Sequence, residues 1–183
     1  GVFPFIDKTN FQTLKSKRVW QTSKEEYEWP LKILDNKAKR FITQKEDSKT
    51  PKNIFLREGK RTKKQYTQNQ DHMSELNGMV KERLVYDRSD GVSLSATLYL
   101  PPGYQKERSK ALPTLVWAYP REFKSAKSAS QIRSSTHRFS RPSYSSILFL
   151  LTQGYAVVAN PSMPIIGEEE PNDQYVEQLV SSA

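Results

Sequence analysis

Few side chains in this sequence are equipped for chemistry. Of 183 residues, two are histidines, His72 and His137, and none is cysteine. A thiolate nucleophile, a disulfide and a thiolate zinc site are therefore excluded. Three carboxylates stand side by side in "GEEEP" (Gly167 to Pro171). A metal site or general base needs such groups to converge on one point, which neighbours in a loop rarely do. Their expected role is at the start of the following helix, where negative charge interacts favourably with the helix dipole. His72 falls in a polar connecting segment and His137 in a long polar loop, and both read as surface histidines. Tyr119, in "WAYP", taken alone reads as a buried tyrosine at a strand end. No cofactor and no metal are expected.

The elements that would position these groups fall into two stretches. Over the first 70 residues, short strands are separated by turn signals: Lys17 to Gln21, Pro30 to Asp35, Lys39 to Gln44, Asn53 to Glu58 and Lys64 to Gln68. Asp35-Asn36 suits a tight reversal, since both residues tolerate positive φ. The pattern is an antiparallel meander of the kind found in a sandwich or a propeller blade, with too few strands to close a propeller. The polar "NQDHMSELNG" (Asn69 to Gly78) follows, and residues 71–79 are taken as a linker.

From Val80 the character changes. "ERLVYDR" and "VSLSATLYL" flank Ser89-Asp90-Gly91, which predicts a hairpin. Along its second arm Leu94, Ala96, Leu98 and Leu100 alternate with Ser93, Ser95, Thr97 and Tyr99, giving one apolar face. Pro101-Pro102 ends the pairing, because proline cannot donate to a ladder. "LPTLVWAYP" (Leu112 to Pro120) is apolar enough to predict a strand buried on both faces. A polar loop is expected over 121–142, and a serine-capped helix over Ser143 to Gly154 with Gly154 at C′. "YAVVAN" (Tyr155 to Asn160) predicts a buried strand that completes a βαβ-like unit. "PSMPIIGEEE" reads as a loop. Asn172 or Asp173 would then cap a last helix with Tyr175, Val176, Leu179 and Val180 on its inward side.

Composition bounds the class. Hydrophobic residues make up 36%, charged residues 27%, and there are 11 prolines, which suits a soluble, loop-rich protein. The longest apolar run, "SILFLL" (Ser146 to Leu151), is far short of the roughly 20 residues that span a bilayer, and no membrane association is expected. The net charge of +9 is uneven, with 17 basic against 10 acidic residues before Lys81. The densest basic run, Arg57 to Gln68, reads as a solvated hairpin tip, because no nucleic-acid-binding pattern accompanies it. The start "GVFPFIDKTN" is not a signal peptide. Gly1 stands where an initiator Met would be, so a targeting segment would lie outside the sequence and the compartment is unknown, an extracytoplasmic one included.

Several long strings are similar to the prolyl oligopeptidase family of serine peptidases, and most closely to its glutamyl endopeptidase-like branch. "YDRSDGVSLSATLYLPPGY" resembles the opening hairpin of that branch. "LPTLVWAYPREFKS" resembles its next strand and oxyanion loop, and "PIIGEEEPNDQYVEQLVSSA" the approach to its nucleophile strand. Upstream, "FITQKEDSKTPKNIFLRE" resembles the last blades of the family's β-propeller. The resemblance implies a mixed α/β chain: terminal propeller strands over 1–70, the linker, and over 80–183 the leading half of an α/β-hydrolase domain with an incomplete sheet.

The same resemblance implies acyl transfer to a serine in a Gly-x-Ser-x-Gly elbow, assisted by His and Asp. No two glycines here are four apart. The elbow, the Asp and the His of the family all follow the position matched by Ala183. By resemblance Tyr119 is an oxyanion-hole donor, while Arg121 replaces the usual glycine of "YPGEF". The expectation is thus a piece of a peptidase acting on peptide substrates, inactive alone and prone to self-association through open strand edges. A basic β-rich binding module and part of an esterase are the alternatives.

Overall fold

A computed structural model of the chain describes residues 3–107, 110–132, 134–167 and 174–183. They form two compact units, Gly1–Ser74 with His137–Arg141, and Glu75–Thr136 with Pro142–Ala183. The chain is mostly β, with short helices. The mixed α/β balance expected from the sequence is corrected to this extent, because the segments between strands are largely turns rather than packed helices.

In the first unit, β1 (Phe5–Thr9) pairs antiparallel with β2 (Ser16–Gln21). β3 (Tyr27–Ile33), β4 (Arg40–Glu46), β5 (Asn53–Glu58) and β6 (Arg61–Gln65) form an antiparallel sheet in sequence order. The meander is as expected, and β5 has the expected bounds. β1 was not foreseen, since "FIDKT" buries only Ile6. β6 begins at Arg61, inside the basic run, and all its residues are exposed. The reversal after β3 also differs: positive φ falls on Ala38 (51°), not on Asp35 or Asn36. The Asp35 carboxylate instead accepts the backbone N–H groups of Lys37, Lys39 and Arg40 at 2.8, 3.2 and 2.6 Å. The Arg40 N–H contributes most to holding the Asp35 carboxyl below its ordinary pKa, as hydrogen bonds to a charged form do.

Ile6, Trp20, Ala38 and Phe41 make the apolar core of this unit, with Trp20 and Phe41 edge to face at 5.5 Å. Beside it lies a buried polar network. Glu28, 1% exposed, accepts from Thr43 Oγ1 at 2.5 Å and from Arg57 Nε at 2.7 Å, and its second oxygen meets Arg57 Nη2. Glu46, 2% exposed, accepts from Arg138 Nε and the Phe139 N–H, both at 3.2 Å. Arg138 also lies over the Tyr27 ring. Buried carboxylates persist only when paired in this way, which explains why His137–Arg141 belongs to this unit.

In the second unit, β7 (Val80–Asp87) and β8 (Ser93–Leu100) form the expected hairpin. Gly91 takes φ 82° at its turn, a value costly for any residue with a Cβ. β9 (Thr114–Trp117) and β11 (Ala156–Ala159) complete a sheet of order β7-β8-β11-β9. β11 is antiparallel to β8 and parallel to β9. The alternation along β8 holds, with Leu94, Ala96 and Leu100 buried. Leu76, from the segment expected as a linker, is buried with Leu148, Leu151, Val157 and Ala159.

Several expectations for this unit are corrected. β9 is not buried on both faces: among the described residues it is an edge strand, and Val116 and Trp117 are more than half exposed. The loop expected over 121–142 contains β10 (Arg121–Phe123) and the short helix α1 (Ala126–Ala129). The loop expected over "PSMPIIGEEE" contains β12 (Pro164–Ile166), parallel to β10. The helix expected from Ser143 is a 3-10 helix over Ile147–Gln153 capped by Ser146, whose Oγ accepts the Leu148 N–H, while Gly154 (φ 80°) ends it as expected. Serines favour turns and caps over helix interiors, so the segment before Ser146 does not join the helix.

In the last helix, α2 (Tyr175–Ser182), Tyr175 and Leu179 are half-buried as expected, but Val176 and Val180 are exposed, and Gln178 and Ser182 also face inward. The proposed caps Asn172 and Asp173 and the carboxylates Glu168 to Glu170 lie outside the described residues.

What draws α2 in is Arg88, whose side chain is 2% exposed. It donates to both Asp90 oxygens at 2.9 and 2.7 Å, to the Pro164 carbonyl at 3.1 Å, to the Gln178 carbonyl at 3.4 Å and to Ser182 Oγ at 3.1 Å. One guanidinium thus joins the β7–β8 turn, β12 and the end of α2. Arg88→Ala should destabilise this unit by about 1–3 kcal/mol, the usual cost of leaving buried acceptors unsatisfied. Thermal unfolding and amide exchange along α2 would register it; unchanged protection of α2 would contradict the assignment.

The hydrogen bond from Arg88 also lowers the Asp90 pKa from its ordinary 3.8. A depressed carboxylate contributes stability above its unfolded value that disappears as pH falls through the folded one. We expect an NMR titration to place the Asp90 carboxyl below its ordinary value, and Arg88→Ala to return it to the ordinary range.

Candidate functional site

β9 and β11 run parallel, so their carboxyl ends share one edge of the sheet. In open sheets with parallel strands, ligands bind outside those ends. Here the two chain segments pair, separate and pair again. The β9–β11 ladder closes at Trp117 and Ala159, with a final hydrogen bond from the Asn160 N–H to the Trp117 carbonyl at 3.0 Å. Pairing resumes where the Arg121 N–H donates to the Met163 carbonyl at 3.1 Å, and continues as β10–β12. Between these two bonds each segment carries a proline, Pro120 and Pro161. Neither proline has an N–H to give, which accounts for the gap in the ladder.

Tyr119 stands in this opening on one segment, and Asn160 marks its start on the other. Tyr119 is 79% exposed, which corrects its reading as a buried tyrosine. Its hydroxyl makes no hydrogen bond to the described residues, so it is a donor available to a bound group. Asn160 is exposed, with φ 49°. Its segment is braced from behind. The Ser162 N–H and hydroxyl donate to the Ser95 carbonyl at 2.8 and 3.0 Å, and the Ser95 N–H donates to Ser162 Oγ at 3.2 Å. Pro161 is buried.

The other groups considered from the sequence do not join this opening. His72 is exposed in the first unit, and His137 is part-buried there. Arg121, which replaces a glycine of the resembled motif, opens β10 as an ordinary strand residue without positive φ. No group of His, Asp and Glu suited to a metal ion exists among the described residues. Among them, also, no helix is long and apolar enough to cross a membrane. Sequence reasoning passed over Asn160; the signal available was an Asn-Pro pair directly after an apolar strand.

Comparison with known proteins gives this edge a context. No family model matches the chain. Over its whole length it is 40% identical to a probable chloroplastic glutamyl endopeptidase of Oryza sativa subsp. japonica, and 38% identical to the Arabidopsis thaliana protein of the same name. It spans about a fifth of those relatives, 21% and 20% of their lengths. Among solved structures it resembles the apo AtxE2 isopeptidase, with 24% identity and TM-score 0.47 over 80% of this chain and 20% of that one. It also resembles the Pyrococcus horikoshii acylaminoacyl peptidase, with 17% identity and TM-score 0.46 over 88% of this chain and 22% of that one. The chain is a relative of serine peptidases of the prolyl oligopeptidase family, as its sequence motifs indicated. Within that family it is homologous to a segment of the glutamyl endopeptidases.

Proposed function

We infer that this chain is the junction segment of a longer serine peptidase that hydrolyses peptide bonds by acyl transfer. In this reading the first unit supplies terminal propeller strands, and the second the leading half of an α/β-hydrolase domain. The identity to a segment of the glutamyl endopeptidases over the whole of this chain carries the inference, and the name of those relatives points to cleavage at glutamyl residues. The strand order β7-β8-β11-β9, an antiparallel hairpin leading into a parallel pair, supports it. So does the open edge of β9, where a further strand carrying the nucleophile would pair.

Tyr119 is the chain's own contribution to the chemistry. When a serine attacks a peptide carbonyl, negative charge collects on the carbonyl oxygen. A preplaced hydroxyl donor stabilises that oxyanion more than the neutral ground state, and so lowers the barrier. The exposed hydroxyl at the carboxyl edge of β9 suits that role. The nucleophile and its base belong to sequence beyond these residues, as no Gly-x-Ser-x-Gly elbow is present.

The test compares this chain with the longer protein. A fluorophosphonate probe should label the longer protein at one serine and leave the 183-residue chain unmodified. Stoichiometric labelling of a serine within this chain, or a longer protein inert to both probe and peptides, would overturn the reading.

A further inference from the structure

We propose that Asn160 is a substrate-binding residue that holds the main chain of the peptide against the Tyr119 edge. This rests on the peptidase reading above and adds a residue to it. Asn160 donates the hydrogen bond that ends the β9–β11 ladder, and Tyr119 lies on the other segment before the bond from Arg121 that restores pairing. Two neighbouring parallel segments therefore each carry one exposed polar residue at this break in the pairing.

The backbone of Asn160 is unusual. Its φ of 49° is a value uncommon for residues with a Cβ, and such conformations gather at functional sites. It is also held firmly, with buried Ala159 before it and buried Pro161 after it. The next residue, Ser162, is fixed to both backbone groups of Ser95. Such bracing limits the motion a bound peptide would have to arrest.

The side chain does not explain itself locally. The Asn160 carboxamide makes no hydrogen bond to any described residue, unlike the turn residues Asp35 and Asn10, which cap their own loops. A carboxamide offers one acceptor and two donors, the complement of a peptide group's N–H and C=O. A neutral group matched to both suits a substrate's main chain whatever its side chains. Specificity at the cleaved residue would then lie elsewhere.

The discriminating variant is Asn160→Gly in the longer protein. Glycine keeps the positive φ without strain, so a purely conformational role for Asn160 would be served equally well. We expect Asn160→Gly to raise KM for peptide substrates about 5- to 10-fold with kcat within about twofold, the pattern of lost uniform binding. The unfolding temperature should be unchanged. Asn160→Asp, which loses the donors, should give an intermediate KM. An active wild type whose Asn160→Gly variant keeps KM overturns the assignment of Asn160 and leaves the peptidase reading intact. A wild-type longer protein without peptidase activity overturns both.

Discussion

Arg57→Met should unfold the first unit, or cost it about 3–5 kcal/mol, because removing one partner of a buried ion pair strands the other. Glu28 is 1% exposed and takes both Arg57 hydrogen bonds on its two oxygens. Thr43 alone cannot compensate a buried carboxylate. Arg57 is itself 11% exposed, donates to the Lys60 carbonyl at 2.9 Å and lies 5.9 Å from the Trp20 ring. Its loss would therefore reach the β5–β6 turn and the core together. Urea unfolding with amide exchange over β4 and β5 gives the measurement. Replacing both partners with apolar side chains of similar size, Glu28→Leu with Arg57→Met, should recover most of the loss, since the stranded charge is gone. A single Arg57→Met variant with wild-type protection in β4 would contradict the network's role.

In the longer protein, Tyr119→Phe should lower kcat by about 10²- to 10³-fold with little change in KM, the effect of removing one oxyanion donor. The ring is retained, and the hydroxyl has no partner among the described residues, so folding should be untouched. This separates the variant from Arg57→Met, which acts through stability alone. Unfolding temperature and burst kinetics on an ester and an amide substrate would distinguish the two mechanisms. A Tyr119→Phe enzyme with wild-type kcat would remove the tyrosine from the proposed oxyanion hole.

Asn160 shows why part of the proposed site stays hidden in one dimension. Its neighbours in sequence are an apolar strand and a proline, an ordinary strand exit. Its standing comes from a second segment, Trp117 to Arg121, whose pairing with 160–163 stops and restarts around it. Tyr119 is legible in the sequence because it sits within a string that resembles a known motif, although nothing local signals its exposure. A tyrosine after an apolar run is usually covered, but among the described residues β9 has a neighbour on one side only.

Local pattern was sufficient wherever local physics decides. The β7–β8 hairpin follows from a Gly at the turn and a period of two along β8. The end of the 3-10 helix follows from Gly154, and the meander of β3 to β6 from alternating strands and turns. Tertiary structure decided the rest, because burial belongs to a position in the fold and not to a residue. It set Val176 and Val180 outward while the Arg88 guanidinium drew Gln178 and Ser182 inward. It recruited Arg138 to neutralise a carboxylate 92 residues away in sequence. It also made strands of β10 and β12, each too short to signal itself, because two parallel segments found one another's hydrogen bonds.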